Sequence, residues 1–572
     1  MKKSALFLLS LFFAIAGFAQ TLTWSPDVVK PKETETNSLL TFPGTDANSY
    51  YVDESVLGTA IMKRKWKDFV KVVDISTLKL RKEADLTGEL PDDGKDYLNV
   101  KNFIYRNKQY YFFIDMNDRG VYPVYSIVQN IDGTNAAALK PIQKVDMEKE
   151  RPFKRAAAII KEKFSEKEAA AAASGYVKIK PAYDERSIIS AFVYETVDEG
   201  YSMLNVSEWN DDMKSTVSNN YKIPFKTKQE MELTIFGKAP AGSGTHPSIV
   251  NFVKDNNGFF YVLFKSANPK DKDENESYWL YQFKLSDPSY VKEYKKELVK
   301  DRTSIETLLF QDASGKVYVS SLGMQIEKEK DKDNSYSVNG GFIGSFNKDG
   351  ILTPIFSGQL STDMMYNFEK EKIIDKQGRI NSLSIKNILP AEDGGCFVLW
   401  QYEWTEVKDN NAGNNTFTHV YYHSDNALVQ HYDKGNKLLW QKPIYKQQKS
   451  NAVIANIYSD FASGILDGKL VIFYPDDPKN ADKAIDDKDV SEFNVVKFAN
   501  RDLAGMFVAK FDLKGNYTRQ YVKWPEDKIG YALCTNSFNY IGNNECIGTV
   551  RKIHQGALFL KSEDYTFFKL KF

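Results

Sequence analysis

The sequence predicts an all-β chain, a β-propeller of seven or eight blades with a helical insertion near residues 147–174. Three observations carry this. A hairpin unit recurs along the chain, its central strands are apolar on both alternating faces, and its turns hold the residues that tight hairpins need. The clearest copy runs from Asp393 to Pro443, reading DGGCFVLWQYEW, then a polar insert, then ALVQHYDKGNKLLWQKP. In CFVLW and FFYVLF both faces are apolar, so each strand is expected to be buried on both sides. A blade packed between two other blades requires that, whereas a sandwich strand keeps one face wet. Aromatic residues at 14%, with 37 Phe and 33 Tyr, suit flat packing between blades. The outer hairpin strands read as wetter, with Gln430, His431, Asp433 and Lys434 among their apolar residues.

The units follow in order. Thr21–Trp24 is a lone β segment, expected to pair with the last unit and so close the ring, because closure removes free sheet edges. Ser49–Val52 and a hairpin around Ile75–Thr77 form a loose first unit. Tyr110–Ile114 follows a polar turn at Asn107, and Val124–Asn130 leads into Asp132-Gly133, a dipeptide suited to positive φ. Between Met147 and Ser174 the period changes: Phe153, Ala156, Ile160 and Phe164 recur at helical spacing, and Ser165 with Glu168 fits a capping box. The β pattern then resumes with Gly200–Val206, Phe259–Phe264 paired with Trp279–Leu285, Lys316–Ser320, Phe342–Phe346, Cys396–Trp400, Leu428–Tyr432, Leu470–Tyr474, Met506–Phe511 and Cys546–Val550. Ala557–Lys561 and Thr566–Phe572 close the chain. Taking Asn107, Glu199, Asn257, Ser314, Gly394, Asp467 and Asn543 as markers, the successive gaps are 92, 58, 57, 80, 73 and 76 residues. The shortest lie slightly above the roughly 40–50 residues of a four-stranded blade. Seven units and the loose first one give seven or eight blades.

Composition and the N-terminus bound the compartment. Lys plus Arg and Asp plus Glu number 76 each, so no basic excess points to nucleic acid. Lys2 and Lys3 precede an apolar stretch from Ala5 to Ile15, with Gly17 and Ala19 at the −3 and −1 positions of a cleavage site. Residues 1–19 therefore read as a signal peptide, and 20–572 as one exported domain, periplasmic or extracellular, with no integral membrane segment after cleavage. Three cysteines make no disulfide framework. A hairpin folded about Asn543 sets Cys546 opposite Tyr540 rather than Cys534, so buried free thiols are expected, while the export compartment leaves a bridge open.

No residue pattern assigns chemistry. Of His246, His419, His423, His431 and His554, the pair His419 and His423 would hold a metal only on a helix; in the strand THVYYHS four residues span about 13 Å. The pair reads as exposed strand or loop histidines. Asp271–Asn275 and Asp331–Ser335 begin like calcium loops, yet Glu276 and Tyr336 occupy the glycine position, and Gln282 and Phe342 that of the bidentate Glu. With Asp482–Asp489 they read as solvated loop tips. The loop Gly237–Ser248 holds Ser243 and His246 but neither a nucleophile elbow nor a phosphate loop. Trp404, Tyr421 and Tyr422 would serve a sugar-stacking surface or ordinary blade packing equally well. No cofactor and no metal are expected, and the catalytic residues, like the question of whether the chain is an enzyme, stay open.

The order DGGCFVLWQYEW, ALVQHYDKGNKLLWQKPIYKQQKS, LDGKLVIFYPDDPKN, MFVAKFDLKGN, from Asp393 to the end of the chain, resembles uncharacterised secreted β-repeat proteins of Bacteroidota. The resemblance implies export and a propeller-like fold, and it brings no functional residue with it. Two function classes follow: a non-catalytic binding or scaffold protein for an unknown protein or glycan ligand, or a glycan-active hydrolase or lyase using funnel-lining carboxylates or tyrosines. Fold alone does not choose between them.

Overall fold

The computed structural model describes residues 21–572 except 31–37, 47, 57–64, 87, 92, 94–96, 116–123, 133–137, 143–176, 196–200, 227–247, 268–275, 295–301, 313, 326–336, 339, 362–363, 365–379, 382, 413–414, 452–459, 482–495, 498–504, 543 and 556–559. The expected signal peptide and the expected helical insertion at 147–174 thus lie outside the described residues.

The chain forms eight antiparallel blades, which settles the choice between seven and eight. Blade 1 is Ser38–Thr45, Ser49–Val56, Lys65–Asp74 and Leu80–Asp85; blade 2 is Tyr97–Tyr105, Lys108–Asp115, Val124–Asn130 and Lys140–Pro141. Blade 3 is Val177–Pro181, Ile188–Glu195, Tyr201–Trp209 and Ser215–Lys226; blade 4 is Ser248–Lys254, Phe259–Ala267, Glu276–Lys284 and Asp287–Glu293. Blade 5 is Arg302–Gln311, Val317–Gln325, Gly340–Phe346 and Leu352–Gln359; blade 6 is Leu383–Pro390, Cys396–Ala412, Asn415–Tyr432 and Leu438–Ile444. Blade 7 is Ala462–Leu466, Lys469–Tyr474, Gly505–Phe511 and Tyr517–Lys523. Blade 8 takes Tyr531–Leu533, Glu545–Gln555 and Leu560–Lys571 from one end of the chain and Thr21–Trp24 from the other. From blade 1 to blade 7 the first strands of successive blades touch one another, so they line the axis.

Burial on both faces of the second strands is what stacks the blades. In blade 4, Phe260, Val262 and Phe264 join a core shared with blade 3, while Phe259, Tyr261 and Leu263 join one shared with blade 5. In blade 6, Cys396, Val398 and Trp400 face blade 5, and Phe397 and Leu399 face blade 7. Each strand therefore feeds two interfaces, and each fully buried Leu or Phe contributes about 1.5–3 kcal/mol.

The hairpins repeat one five-residue turn. Asp255 Oδ1 accepts from the N–H groups of Asn257 and Phe259 at 2.8 and 2.9 Å, and Gly258 takes φ +82°. Asp312, Asn347, Asp433, Asp512 and Asn210 make the same pair of bonds in other turns. The carboxylate or amide replaces backbone partners that a tight loop cannot supply. Gly350 shows why the fourth position favours glycine: at φ +71°, an added Cβ would lie 2.3 Å from Gln282 Nε2.

Two readings shift. Glu199 precedes the third strand of blade 3; the turn equivalent to the other markers ends at Glu185, 78 residues after Asn107 and 72 before Asn257. The polar insert of blade 6 is a hairpin arm, because its second and third strands stay paired as far as Ala412 and Asn415. Ala557–Lys561 and Thr566–Phe572 likewise belong largely to one strand, Leu560–Lys571, with 556–559 outside the described residues.

The ring closes as expected. Thr21–Trp24 pairs with Lys571–Phe568, and the Trp24 ring meets Trp524 edge-on at 5.1 Å. Deleting Thr21–Trp24 should lower stability by about 2 kcal/mol or more, the scale of losing a largely buried Trp. A urea unfolding curve identical to that of the full chain would show that closure contributes nothing.

Candidate functional site: the axial channel

The innermost strands are polar where they could have been apolar. Four of them carry a one-residue bulge at the same level: between Asn99 and Lys101, Ile249 and Asn251, Ser304 and Glu306, and Ile385 and Asn387. A bulge re-aims the side chains around it. Asn251 and Asn387 each accept from the next residue's N–H, at 2.8 and 2.9 Å, and donate to the following blade, at Leu309 O and Ser463 Oγ. Glu306, Lys101 and the bulged Lys386 are ionisable residues on these bulged strands.

Across blades 5 to 7 the channel wall gathers carboxylates around one lysine. Lys386 Nζ lies 2.6 Å from Glu403 Oε1 and 2.9 Å from Asp460 Oδ2. Burial opposes its charge, but Asp460 and Glu403 outweigh burial and hold its pKa above the ordinary value. Among the described residues Glu306 has no such ion pair; burial pushes its carboxyl up to about 7, Lys386 opposing and Glu403 reinforcing the rise. Asp460 is raised by burial as well. Glu306 Oε2 and Asp460 Oδ1 are buried with no hydrogen-bond partner among the described residues.

Behind this wall lies a second charged layer. Lys446 is fully buried, and its Nζ donates to Ser424 O at 2.8 Å and Gln448 Oε1 at 3.0 Å. Burial pushes it down to about 8, against the pull of Asp460 and Asp425. Gln448 joins blades 6 and 7, accepting from Asp460 N at 2.7 Å and donating to Pro475 O at 2.7 Å. Asp476 is pushed up to about 7 by burial and accepts from Asn480 Nδ2 and Asp477 N, both at 2.8 Å.

On the blade 2–blade 3 side the charge is positive. Lys101 is exposed and Lys178 and Lys180 are half-buried, yet burial lowers the pKa of each, which marks ammonium groups touching water inside walls of protein. Lys180 Nζ lies 3.4 Å from Asn251 Oδ1 and 5.1 Å from the centre of the Phe252 ring.

Residues singled out by sequence fall elsewhere. His419 and His423 share the strand Asn415–Tyr432, opposite Lys408 and Trp404, so their spacing is that of a strand. His423 is not exposed: it stacks on Trp404 with ring centres 3.7 Å apart, and its Nε2 is 3.4 Å from Glu406 Oε2. Burial holds its pKa below the ordinary histidine value, against the pull of Asp425. Trp404 donates to Asp425 Oδ2 at 2.7 Å, and Lys449 lies over the Tyr421 ring at 4.0 Å; Tyr421 and Tyr422 are half-buried. Gln430 and His431 are buried rather than wet, His431 lying between Phe397 and Trp440 and 3.3 Å from Asp393 Oδ2. His554 lies on the strand Glu545–Gln555 opposite Lys561. Cys396, Cys534 and Cys546 are free and buried, and Cys546 stands opposite Tyr540 as expected. Ser243, His246, both calcium-like segments and Asp482–Asp489 lie outside the described residues, and among the described residues no His, Cys, Asp and Glu cluster is arranged to hold a metal. No helix among them is long and apolar enough to cross a membrane.

The fold and channel define an eight-bladed propeller with a charge-segregated axis. No protein-family model and no curated protein matches the chain. Solved structures that resemble it include the endo-arabinase of Bacteroides thetaiotaomicron, 12% identical over 58% of this chain and 98% of that one, with a TM-score of 0.27. The β-fructofuranosidase of Bombyx mori is 9% identical over 100% of this chain and 98% of its own, at 0.26. An acylaminoacyl peptidase of Pyrococcus horikoshii is 8% identical over 91% of this chain and 59% of its own, at 0.32. At such identities nothing of those enzymes' chemistry is carried to these residues.

Glu306 gives a signed pH test. Its carboxyl holds a proton in the fold up to about 7, whereas the unfolded chain releases that proton at the ordinary glutamate value. Stability from this group is therefore lost as pH rises between those values. Glu306→Gln should unfold at higher urea than the wild type at pH 8 and at the same urea near pH 4. Equal midpoints at both would place Glu306 in ordinary solvent.

Proposed function

We propose that this chain is an exported binding protein that takes a polyhydroxylated ligand, of glycan type, into its axial channel. One observation carries the reading: among the described residues, the channel wall holds enclosed acceptors that the protein leaves unfilled. Among the described residues, Glu306 Oε2 and Asp460 Oδ1 are enclosed and have no hydrogen-bond partner. Buried polar groups without partners cost about 1–3 kcal/mol each, so a ligand bearing hydroxyls would recover that cost on binding. Glu403 and Asp460 both pair with Lys386, an arrangement that favours fixed recognition over proton transfer. Export rests on Lys2, Lys3, the apolar stretch Ala5–Ile15 and the small residues Gly17 and Ala19. The likeness of Asp393–Phe572 to secreted β-repeat proteins of Bacteroidota agrees with it.

A second reading, a glycan hydrolase, is favoured by Glu306. A carboxyl that keeps its proton to about 7, in one wall with the lysine-paired carboxylates of Glu403 and Asp460, offers the two carboxyl groups that glycoside cleavage uses.

A panel of soluble polysaccharides decides between them. Binding measured by calorimetry, with no reducing ends released, supports the first reading. Release of reducing ends, lost at least 100-fold in Glu306→Gln, supports the second. Neither binding nor release across neutral and acidic polymers would overturn both. N-terminal sequencing of the protein secreted by a diderm host should begin at Gln20; an intact Met1 would overturn export.

A further inference from the structure

We propose that Gln448 is the positioning residue of the channel wall: it clamps the backbone of Asp460 so that the Asp460 carboxylate is set on Lys386 before a ligand arrives. The inference deepens the reading of the channel as a binding site and rests on it, and it adds what fixes the geometry that ligand hydroxyls would meet.

Asp460 is set apart by its backbone. It takes φ +91°, whereas the other non-glycine residues with positive φ among the described residues lie between +48° and +65°. Those values belong to the left-handed well that turns use, near +57°. Asp460 lies outside that well, where glycine is the ordinary choice. What aspartate adds there is its carboxylate, and Asp460 Oδ2 lies 2.9 Å from Lys386 Nζ.

Gln448 holds that conformation from both sides. Its side chain is fully buried. Oε1 accepts from Asp460 N at 2.7 Å and from Lys446 Nζ at 3.0 Å, while Nε2 donates to Asp460 O at 3.3 Å and to Pro475 O at 2.7 Å. Both backbone groups of Asp460 are therefore gripped by one amide, whose two lone pairs and two protons are all used. Glutamate would lack the two donors, and methionine would lack every one of these bonds. Gln448 is placed in turn by the arm of blade 6. Its N–H donates to Asp425 Oδ1 at 3.2 Å, Trp404 Nε1 donates to Asp425 Oδ2 at 2.7 Å, and the strand Gln448–Asn451 pairs with Tyr421–His423.

The result is a fixed row of charge. Lys386 Nζ sits between Asp460 Oδ2 and Glu403 Oε1, the latter at 2.6 Å. Two carboxylates flanking one ammonium suit adjacent hydroxyls of a sugar ring, because a hydroxyl donates to a carboxylate and accepts from an ammonium at once. Such a pair is matched only while the carboxylates keep their spacing, and holding them beforehand spares the ligand the cost of ordering them.

The test uses the whole chain and two measurements. In urea unfolding, Asp460→Gly and Asp460→Ala both lose the carboxylate, but only alanine is strained at positive φ, so the glycine variant should unfold at the higher urea. Equal midpoints would overturn the clamp. In calorimetric titration with dextran, arabinoxylan and polygalacturonate, Gln448→Met and Asp460→Gly should each bind at least ten-fold more weakly than the wild type. The double variant should bind no more weakly than Asp460→Gly alone, since Gln448 acts through Asp460. Losses that multiply in the double variant, or full affinity in Gln448→Met, would overturn the positioning role. Gln448→Glu, which keeps the acceptor toward Asp460 N and Lys446, replaces Gln448→Met if the latter does not fold. If no polymer binds and the glycine variant still outlasts the alanine one, the clamp stands and the channel reading falls. If a polymer binds equally to wild type and Asp460→Gly, the channel reading survives and the positioning role falls.

Discussion

A flat sheet that is apolar on both sides cannot leave either side in water, and that constraint propagates around the whole ring. Phe259–Phe264 must be covered by blade 3 on one face and blade 5 on the other, and the same holds for Cys396–Trp400 between blades 5 and 7. No blade is complete alone. Each is finished only by the next, and the last by the first, so the stack has no stable end until it has become a circle. The turns then follow: with the strands fixed edge to edge, connections within a blade must be short, and the side chains of Asp255, Asp312, Asp433 and Asp512 hold the backbone where strand pairing stops.

This explains which features the sequence displayed. Double-sided apolar strands and Asp-x-x-Gly turns are local signals, and both survived folding unchanged. The misplaced marker at Glu199 shows the limit. Asp198-Glu199-Gly200 has the composition of a turn, but the equivalent turn in blade 3 ends at Glu185, a non-glycine residue at φ +52° that carries no signature. The arm of blade 6 was hidden for a related reason. Its strands pair beyond the blade, where no core enforces an alternating pattern, so a polar strand looks like a loop. Once the register is known, the burial of His423 follows, because Trp404 is its direct cross-strand neighbour.

The channel was not legible at all. A bulge leaves no mark in composition, and Lys101, Lys178, Glu306 and Lys386 look in the sequence like the wet residues of any edge strand. Net charge misled by averaging. The chain sums to zero, while the axis places lysines on one wall and carboxylates on another. Such segregation makes a field across the lumen that a uniform neutral surface would lack, and a ligand with one charged end and a hydroxylated remainder would be oriented by it.

The shared last blade also sets an order of events. Thr21 meets Lys571, so partners in one ladder are among the first and last residues described. A chain emerging from a ribosome or threading through a narrow pore presents its early strand long before the late one exists. Blades can pair locally meanwhile, each hairpin within reach of its own turn, but the circle has to wait. Ring closure therefore comes only after Leu560–Lys571 has been made, and until it happens the edge of that strand stays open to any other strand that arrives first.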